Sequence, residues 1–462
     1  MLPRTTNDTG PRPRRAARTA ACAALLAVAL TTTSIAVGDV RGQEERAARS
    51  APAAVSPALL SQGDLGAGVT ALQAHLRAQP KDFTGWATLG LAYVEQARTD
   101  GDPSRYPQAE RALARSLDLR PGNDQALAGR AALAAARHDF RGALRHADRA
   151  LERNPYNERA LCARIDALVE LGRYAEASRA ADLADGRRPG VPVFTRYAYV
   201  RELRGDVPTA RRVLTQALGS ATAPGDVAYV ATALGRLAWQ QGDNGTALRH
   251  YARALAADDA YLPALEGRAR ALAARGGRGD RAAAVETMEQ VVARAPLPGP
   301  LVLLGELYEE RGERTKAREQ YALVDAWTAL ARAGGVNPDL DTALAAADHG
   351  DRRTALRAAR AEWDRRRTVH TADALAWALH AAGQDAKALP YARRATATGY
   401  RDAALWYHRG MIERALGRDR EARASLTRAL ELNPGFSPRG AREARAALRD
   451  AEAALRVAGA AE

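Results

Sequence analysis

From about residue 60 to residue 434, small and apolar residues return with two superposed periods. Over short stretches they recur three or four positions apart, the spacing of one face of an α-helix. Over longer distances one alanine keeps coming back: Ala109, Ala143, Ala177, Ala210, Ala247, Ala284, Ala317, Ala355, Ala388 and Ala422, at intervals of 34, 34, 33, 37, 37, 33, 38, 33 and 34 residues. Eight of the ten have a glycine five residues earlier: Gly172, Gly205, Gly242, Gly279, Gly312, Gly350, Gly383 and Gly417. Seven residues after the alanine another small or apolar residue is usual, as at Ala150, Ala184, Ala217, Ala254, Ala395 and Ala429. Twelve after it come Pro121, Pro155, Pro189, Pro296 and Pro434. The pattern predicts a helix, a glycine turn, a second helix and a proline stop, repeated ten times. The glycine turns the chain without the positive-φ penalty of a Cβ. The alanine lets two helices approach, where a larger side chain would overpack the seam. Proline cannot donate inside a helix and so ends the unit.

The first helix of several units carries its own signature, Trp86-x-x-Leu89-Gly90-x-x-Tyr93, Leu301-x-x-Leu304-Gly305-x-x-Tyr308 and Trp406-x-x-x-Gly410. One such match is weak, but ten in register are strong. With these motifs the chain resembles the tetratricopeptide repeat family over about 83–434. The resemblance implies an all-α fold, a right-handed superhelical solenoid of about ten stacked antiparallel helix pairs whose first helices line a concave face. Residues 59–82 read as a degenerate opening repeat, 83–438 as the solenoid, and 439–462 as a capping helix and tail. The units differ in detail. The first carries an insertion at 99–107, the sixth has extra residues at 274–280, and more lie around 331–339. Unit eight, about 336–368, departs furthest, with Asp339 where an aromatic belongs and Glu362 where a small residue is usual.

The N-terminal 38 residues break this pattern. A basic stretch with Arg12, Arg14, Arg15 and Arg18 precedes an uncharged run from Thr19 to Gly38, with small residues at Ala36 and Gly38. This reads as a secretory signal peptide cut before Asp39 or as an uncleaved signal anchor; the many Ala, Thr and Ser favour cleavage. Either way the repeats are expected to be exported, secreted or anchored to the cytoplasmic membrane. Residues 39–58 read as a flexible linker.

Composition changes little in this picture. The 462 residues include 109 Ala, and aromatics are only 5%, which disfavours a β-sandwich or barrel. All but Lys81, Lys316 and Lys387 of the 68 basic residues are Arg, which together with the Ala excess reads as codon bias in a GC-rich genome. The net charge is +14, of which five Arg and Asp8 in the leader supply +4, leaving +10. Alternating signs along the helices favour solvated faces, with binding to an anionic cell-wall polymer or lipid surface as the alternative.

No catalytic constellation is visible. The eight His show no metal-ligand spacing, and no nucleophile elbow, P-loop or dinucleotide fingerprint occurs. Cys162 reads as a small buried hydrophobe. Arg204-Gly205-Asp206 and Arg278-Gly279-Asp280 read as turn chemistry rather than adhesion motifs. The chain is therefore expected to be a non-enzymatic scaffold with no cofactor and no metal.

The resemblance also implies where a partner sits. The contact positions of that family's first helix fall on Arg159, Asp166, Thr195, Tyr199, Glu202, Tyr229, Arg236 and Trp239 in units three to five. In units nine and ten they fall on Asp373, Trp377, His380, Tyr407 and Arg414. The expected partner is a protein or peptide segment held in the concave groove. Nucleic acid is not expected, and a membrane only through an uncleaved N-terminal segment. Some relatives clamp a carboxylate with Lys and Asn; no first helix here contains Lys, so that ligand class is not implied.

Overall fold

The computed structural model describes residues 65–100, 104–333 and 338–460. The leader, the linker and residues 59–64 of the opening unit lie outside them. Among the described residues every regular element is an α-helix. An opening helix α1 (Leu65–Ala78) precedes ten helix pairs. Units one to five are α2 (Phe83–Asp100) with α3 (Arg105–Leu119), α4 (Asp124–Ala136) with α5 (Phe140–Arg153), α6 (Glu158–Glu170) with α7 (Tyr174–Arg187), α8 (Val191–Leu203) with α9 (Val207–Ser220), and α10 (Pro224–Gln240) with α11 (Asn244–Ala257). Units six to ten are α12 (Leu262–Arg275) with α13 (Arg278–Arg294), α14 (Pro298–Glu310) with α15 (Arg314–Ala333), α16 (Asp339–His349) with α17 (Arg352–Arg365), α18 (Val369–Ala381) with α19 (Asp385–Thr396), and α20 (Ala403–Ala415) with α21 (Asp419–Leu432). The last described element is α22 (Pro438–Ala460).

The recurring alanines are the packing centre of each pair. All ten are at most 1% exposed. The first-helix glycines face the residue four positions after that alanine. A Cβ on Gly90 would lie 2.6 Å from Leu113, one on Gly235 2.6 Å from Tyr251, and one on Gly410 2.7 Å from Leu426. Large residues on the second helix thus fill the space that glycine leaves on the first.

The turns follow from local chemistry. Gly172, Gly205, Gly242, Gly312, Gly383 and Gly417 take positive φ. In all six, crossed bonds close the helix end, as in Gly205 N–H to Glu202 O (2.9 Å) and Asp206 N–H to Arg201 O (2.9 Å). The residue after the glycine is often an Asp that caps the second helix: Asp206 accepts from Thr209 N–H and Asp243 from Thr246 N–H. The Arg204-Gly205-Asp206 triplet is thus a turn followed by a cap. In unit two the glycine slot holds His138, the only non-glycine at positive φ among the described residues (φ 60).

Three sequence expectations need correction or completion. In unit six the turn glycine is Gly276 (φ 79), and Gly279 lies within the first turn of α13, which starts early and absorbs the extra residues. In unit eight Gly350 turns at φ −133, outside the left-handed region. That unit is nevertheless a regular pair, because its two misfits pair with arginines. Asp339 and Glu362 both bind Arg365, and Glu362 also binds Arg366. The extra residues at 274–280 and around 331–339 lengthen α13 and α15; those at 334–337 lie outside the described residues.

The solenoid closes on itself. The turn inside each of units three, four and five meets the loop that follows the unit five places later. A Cβ on Gly172 would overlap the carbonyl oxygen of Arg367, and one on Gly205 would lie 2.5 Å from that of Gly399. One on Gly242 would lie 3.0 Å from the carbonyl oxygen of Leu432, and one on Gly435 would lie 2.6 Å from Ala274 in unit six. Side chains reinforce this seam. Val369 N–H donates to the Tyr174 hydroxyl (2.8 Å), Gln240 to the Tyr400 hydroxyl (2.7 Å), and Asn433 to the Trp239 carbonyl (2.8 Å). Core residues of α6 to α8 and α16 to α19 form one continuous cluster across it. One superhelical turn therefore takes between five and six units.

Candidate functional site

The even-numbered helices, the first of each pair, bring their polar side chains to a common inner face. Neighbouring first helices are one repeat apart in sequence, so partners about 30–36 residues apart meet across that face. Arg196 donates to both carboxylate oxygens of Asp166 (3.0 and 2.9 Å), thirty residues earlier. Arg236 does the same with Glu202 (2.8 and 2.8 Å). His408 Nδ1 lies 2.9 Å from both oxygens of Asp373, the Tyr407 hydroxyl donates to Glu443 (2.6 Å), and Arg414 donates to Asp450 (2.8 Å). Paired, hydrogen-bonded charges of this kind are how ions are tolerated away from bulk water.

The electrostatics show how dry the face is. Burial pushes the Asp166 carboxyl up to about 6 even though Arg196 opposes it. Burial likewise carries Asp341 and Asp402 to about 6. The His370 imidazole is held down to about 4 by burial, against the pull of Asp373. Where the seam crosses this face, Arg366 from the α17–α18 loop reaches Glu170 of α6 (3.0 Å). Burial alone would raise Glu362, but Arg366 and Arg365 beside it hold it below its usual range.

The structure gives most of the groove candidates an intramolecular partner. Asp166, Glu202 and Arg236 are in the ion pairs above. The Tyr199 hydroxyl lies 3.4 Å from His370 Nε2, and Thr195 bonds back to the Val191 carbonyl. Trp239 packs against the core of units four and five while its carbonyl accepts from Asn433. Trp377 is 6% exposed, stacks between His380 and His408, and donates to Asp348 (2.9 Å). Asp373 holds His408, and His380 holds Asp385. Tyr407 is buried and Arg414 is exposed, both tied to α22.

Two candidates stand apart, Arg159 and Tyr229. Arg159 is half-buried, its Nε is buried with no hydrogen-bond partner, and it makes no ion pair among the described residues. Burial lowers its pKa; Cys162, Glu95 and Glu158 lie near enough to oppose this, and Arg196 adds to it. Tyr229 is half-buried, packs on the same core as Trp239, and lies close enough to Arg196 to influence its ionisation. Arg159, Arg196 and Tyr229 thus stand on successive first helices, α6, α8 and α10, with Arg196 in electrostatic reach of both. Cys162 beside them is buried, and burial pushes its thiol up to about 11.

Position rules along the repeat miss several inner-face residues. Arg196 stands three residues before the expected contact position, Arg366 and Tyr400 come from loops, and His370 and His408 carry no spacing that marks them. A search for a basic residue about one repeat after each first-helix acid would have found Arg196 and His408.

Among the described residues no helix is long and apolar enough to cross a membrane, and no group of three His, Cys, Asp or Glu side chains could hold a metal ion. The class is that of an α-helical repeat protein with a polar inner face. Residues 403–436, unit ten, match the tetratricopeptide repeat family, and the other nine pairs repeat that unit's geometry. Unit ten is thus similar in sequence to a tetratricopeptide repeat. No curated protein sequence matches it significantly. Among solved structures it is similar to the pilF protein of Pseudomonas aeruginosa (20% identity, 46% of this chain and 92% of that one, TM-score 0.36). A tetratricopeptide-repeat protein of Thermus thermophilus matches at 23% identity over 38% of this chain and 94% of that one, TM-score 0.34. The human IFIT1 dimer with PPP-AAAA matches at 13% identity over 82% of this chain and 89% of that one, TM-score 0.47.

Proposed function

We propose that this chain is a non-catalytic scaffold acting outside the cytoplasmic membrane, holding a segment of a partner protein on its inner face at Arg159, Arg196 and Tyr229. One observation carries the reading. Arg196, Arg236 and Arg366 on this face are hydrogen-bonded to carboxylates, whereas Arg159 is drawn out of water with its Nε unbonded and no ion pair among the described residues. A dehydrated charge with no counterion is costly, and a carboxylate brought by a partner would relieve it. Tyr229 adds an aromatic surface of the kind enriched where proteins meet. The closed seam bars entry through the side over units three to five, so the segment enters along the superhelix axis. The uncharged run at 19–38 behind a basic stretch supports an address outside the membrane.

The test is capture of partners from cell-envelope extracts by the full chain and by two double variants. Arg159→Ala with Tyr229→Ala is expected to abolish capture of the specific partner. Arg420→Ala with Arg423→Ala, on the outer surface of α21, is expected to leave it intact. Unchanged capture by the first variant would sink the inner-face reading. Mass spectrometry of the native protein tests the address: an N-terminus at Asp39 means secretion, and an intact leader means an anchor.

A further inference from the structure

The outer face differs from the inner one in a way that the repeat does not require. On α5, Arg141, Arg145, Arg149 and Arg153 are all exposed, at four-residue spacing. Four residues advance a helix by about 6 Å and nearly complete a turn, so these guanidinium groups form one stripe along the solvent side. On α9, Arg211 and Arg212 are exposed and the helix has no acidic residue. On α11, Arg249 and Arg253 are exposed, and again the helix has no acid. None of these eight makes an ion pair among the described residues, whereas the arginines of the inner face mostly do. α5 also exposes Glu152. Beyond unit five, α17 exposes Arg352, Arg353, Arg357 and Arg360 with Asp364, and α19 exposes Lys387, Arg393 and Arg394, while the other second helices expose more acid. α13 exposes Glu286 and Glu289, α15 exposes Glu319, and α21 exposes Glu421 and Glu431 beside their arginines.

Two histidines report the field these arginines make. His146, on α5, has its pKa lowered by burial and then by Arg130, Arg149 and Arg145. His250, on α11, is lowered by burial and then by Arg249, Arg253 and Arg211, the last from the neighbouring second helix. The basic residues of α9 and α11 therefore act together across the repeat boundary.

The closure of the superhelix decides what kind of anion fits. Because the turns of units three, four and five meet the loops that follow the units five places on, successive second helices there point outward between a fifth and a sixth of a turn apart. The basic helices of units two, four and five thus face different directions around the circumference. A flat bilayer reaches only one or two of them at a time, while a flexible chain can follow them around. None of these helices exposes an aromatic side chain on which a base could stack: Phe140 and Tyr251 are both buried. We propose that the outer face of units two to five is a docking track for a flexible, base-free polyanion, a phosphate-linked polymer that wraps the superhelix. The track is independent of what the inner face holds.

The probe is long-chain inorganic polyphosphate, titrated against the full chain. Binding is expected to weaken steeply with added salt and to strengthen with polymer length, since a short chain spans one helix only. Arg145→Glu, Arg149→Glu, Arg211→Glu and Arg253→Glu together are expected to weaken binding at least about tenfold. A second variant reverses the same number of charges elsewhere: Arg314→Glu, Arg318→Glu, Arg420→Glu and Arg423→Glu. It is expected to bind nearly as the parent does. All eight positions are exposed, so circular dichroism should show both variants folded. Equal loss in the two variants would reduce the effect to net charge and overturn the proposal. So would affinity that is the same for short and long chains. Tighter binding to phosphatidylglycerol vesicles or to single-stranded DNA of matched charge would replace the polymer with a membrane or a nucleic acid.

Discussion

At the scale of single residues, helix spacing is set by three positions acting together. The recurring alanine touches the first helix, the first-helix glycine gives way, and the residue four after the alanine fills the gap. Tyr251 shows this most clearly. It is 2% exposed, and Cβ atoms built on both Gly235 and Gly267 would collide with its ring. The ring is therefore clamped between the first helices of units five and six. Gly235→Ala or Gly267→Ala is expected to destabilise the protein by about 1–3 kcal/mol through overpacking. Gly219→Ala, at the end of α9 where a Cβ would meet nothing within 4 Å, is expected to be neutral or stabilising by up to about 1 kcal/mol. Denaturant midpoints of the three variants check this; equal loss at all three would mean that helix propensity, not the clamp, governs the glycines. The recurring alanines were legible in the sequence because a period needs no long-range information. The clamp was only half legible, because the sequence showed the glycines without their fillers.

At the scale of elements, the first helices are joined by a charge ladder as well as by packing. The Glu202–Arg236 rung has a carboxylate side chain 3% exposed and both bonds at 2.8 Å. Removing one partner leaves the other dehydrated and alone. Arg236→Met is expected to cost about 3–5 kcal/mol, and Glu202→Leu with Arg236→Met to recover much of it. A double-mutant cycle by thermal unfolding reads the coupling; additive losses would mean that the two groups are solvated independently. Unit eight follows the same logic. Asp339 and Glu362 looked like misfits because the repeat pattern scores each position alone. Their partners are Arg365 and Arg366, and Arg366 also reaches Glu170, 196 residues away in sequence. The misplaced turn of unit six has a simpler cause: Gly276, Gly277 and Gly279 are all available within four residues, and spacing alone chose the wrong one.

At the scale of the whole molecule, the seam decides what the repeat array becomes. The pairs and their stacking were readable in the sequence; the closure of the solenoid was not, because its contacts join segments about five repeats apart that share no motif. It also explains why so many first-helix contact positions are already occupied: Tyr199, Trp239 and the neighbouring Gln240 and Tyr400 sit where one superhelical turn meets the next. The turn glycines offer an internally controlled test. Gly172, Gly205, Gly383 and Gly417 all take φ between +70° and +78°, so an alanine at any of them carries a similar backbone cost of about 1 kcal/mol. Only at the first two does the added Cβ run into the backbone of the facing turn, Arg367 and Gly399 respectively; the other two meet nothing within 4 Å. Gly172→Ala with Gly205→Ala is therefore expected to part the seam and lengthen the particle, seen as a larger radius of gyration by small-angle X-ray scattering. Gly383→Ala with Gly417→Ala should lose similar local stability with no change in dimensions. An unchanged radius in the first pair would mean that α22 and the Arg366 knot hold the closed form without close backbone contact. An equal expansion in both pairs would trace the effect to the turns themselves and remove the seam from the account.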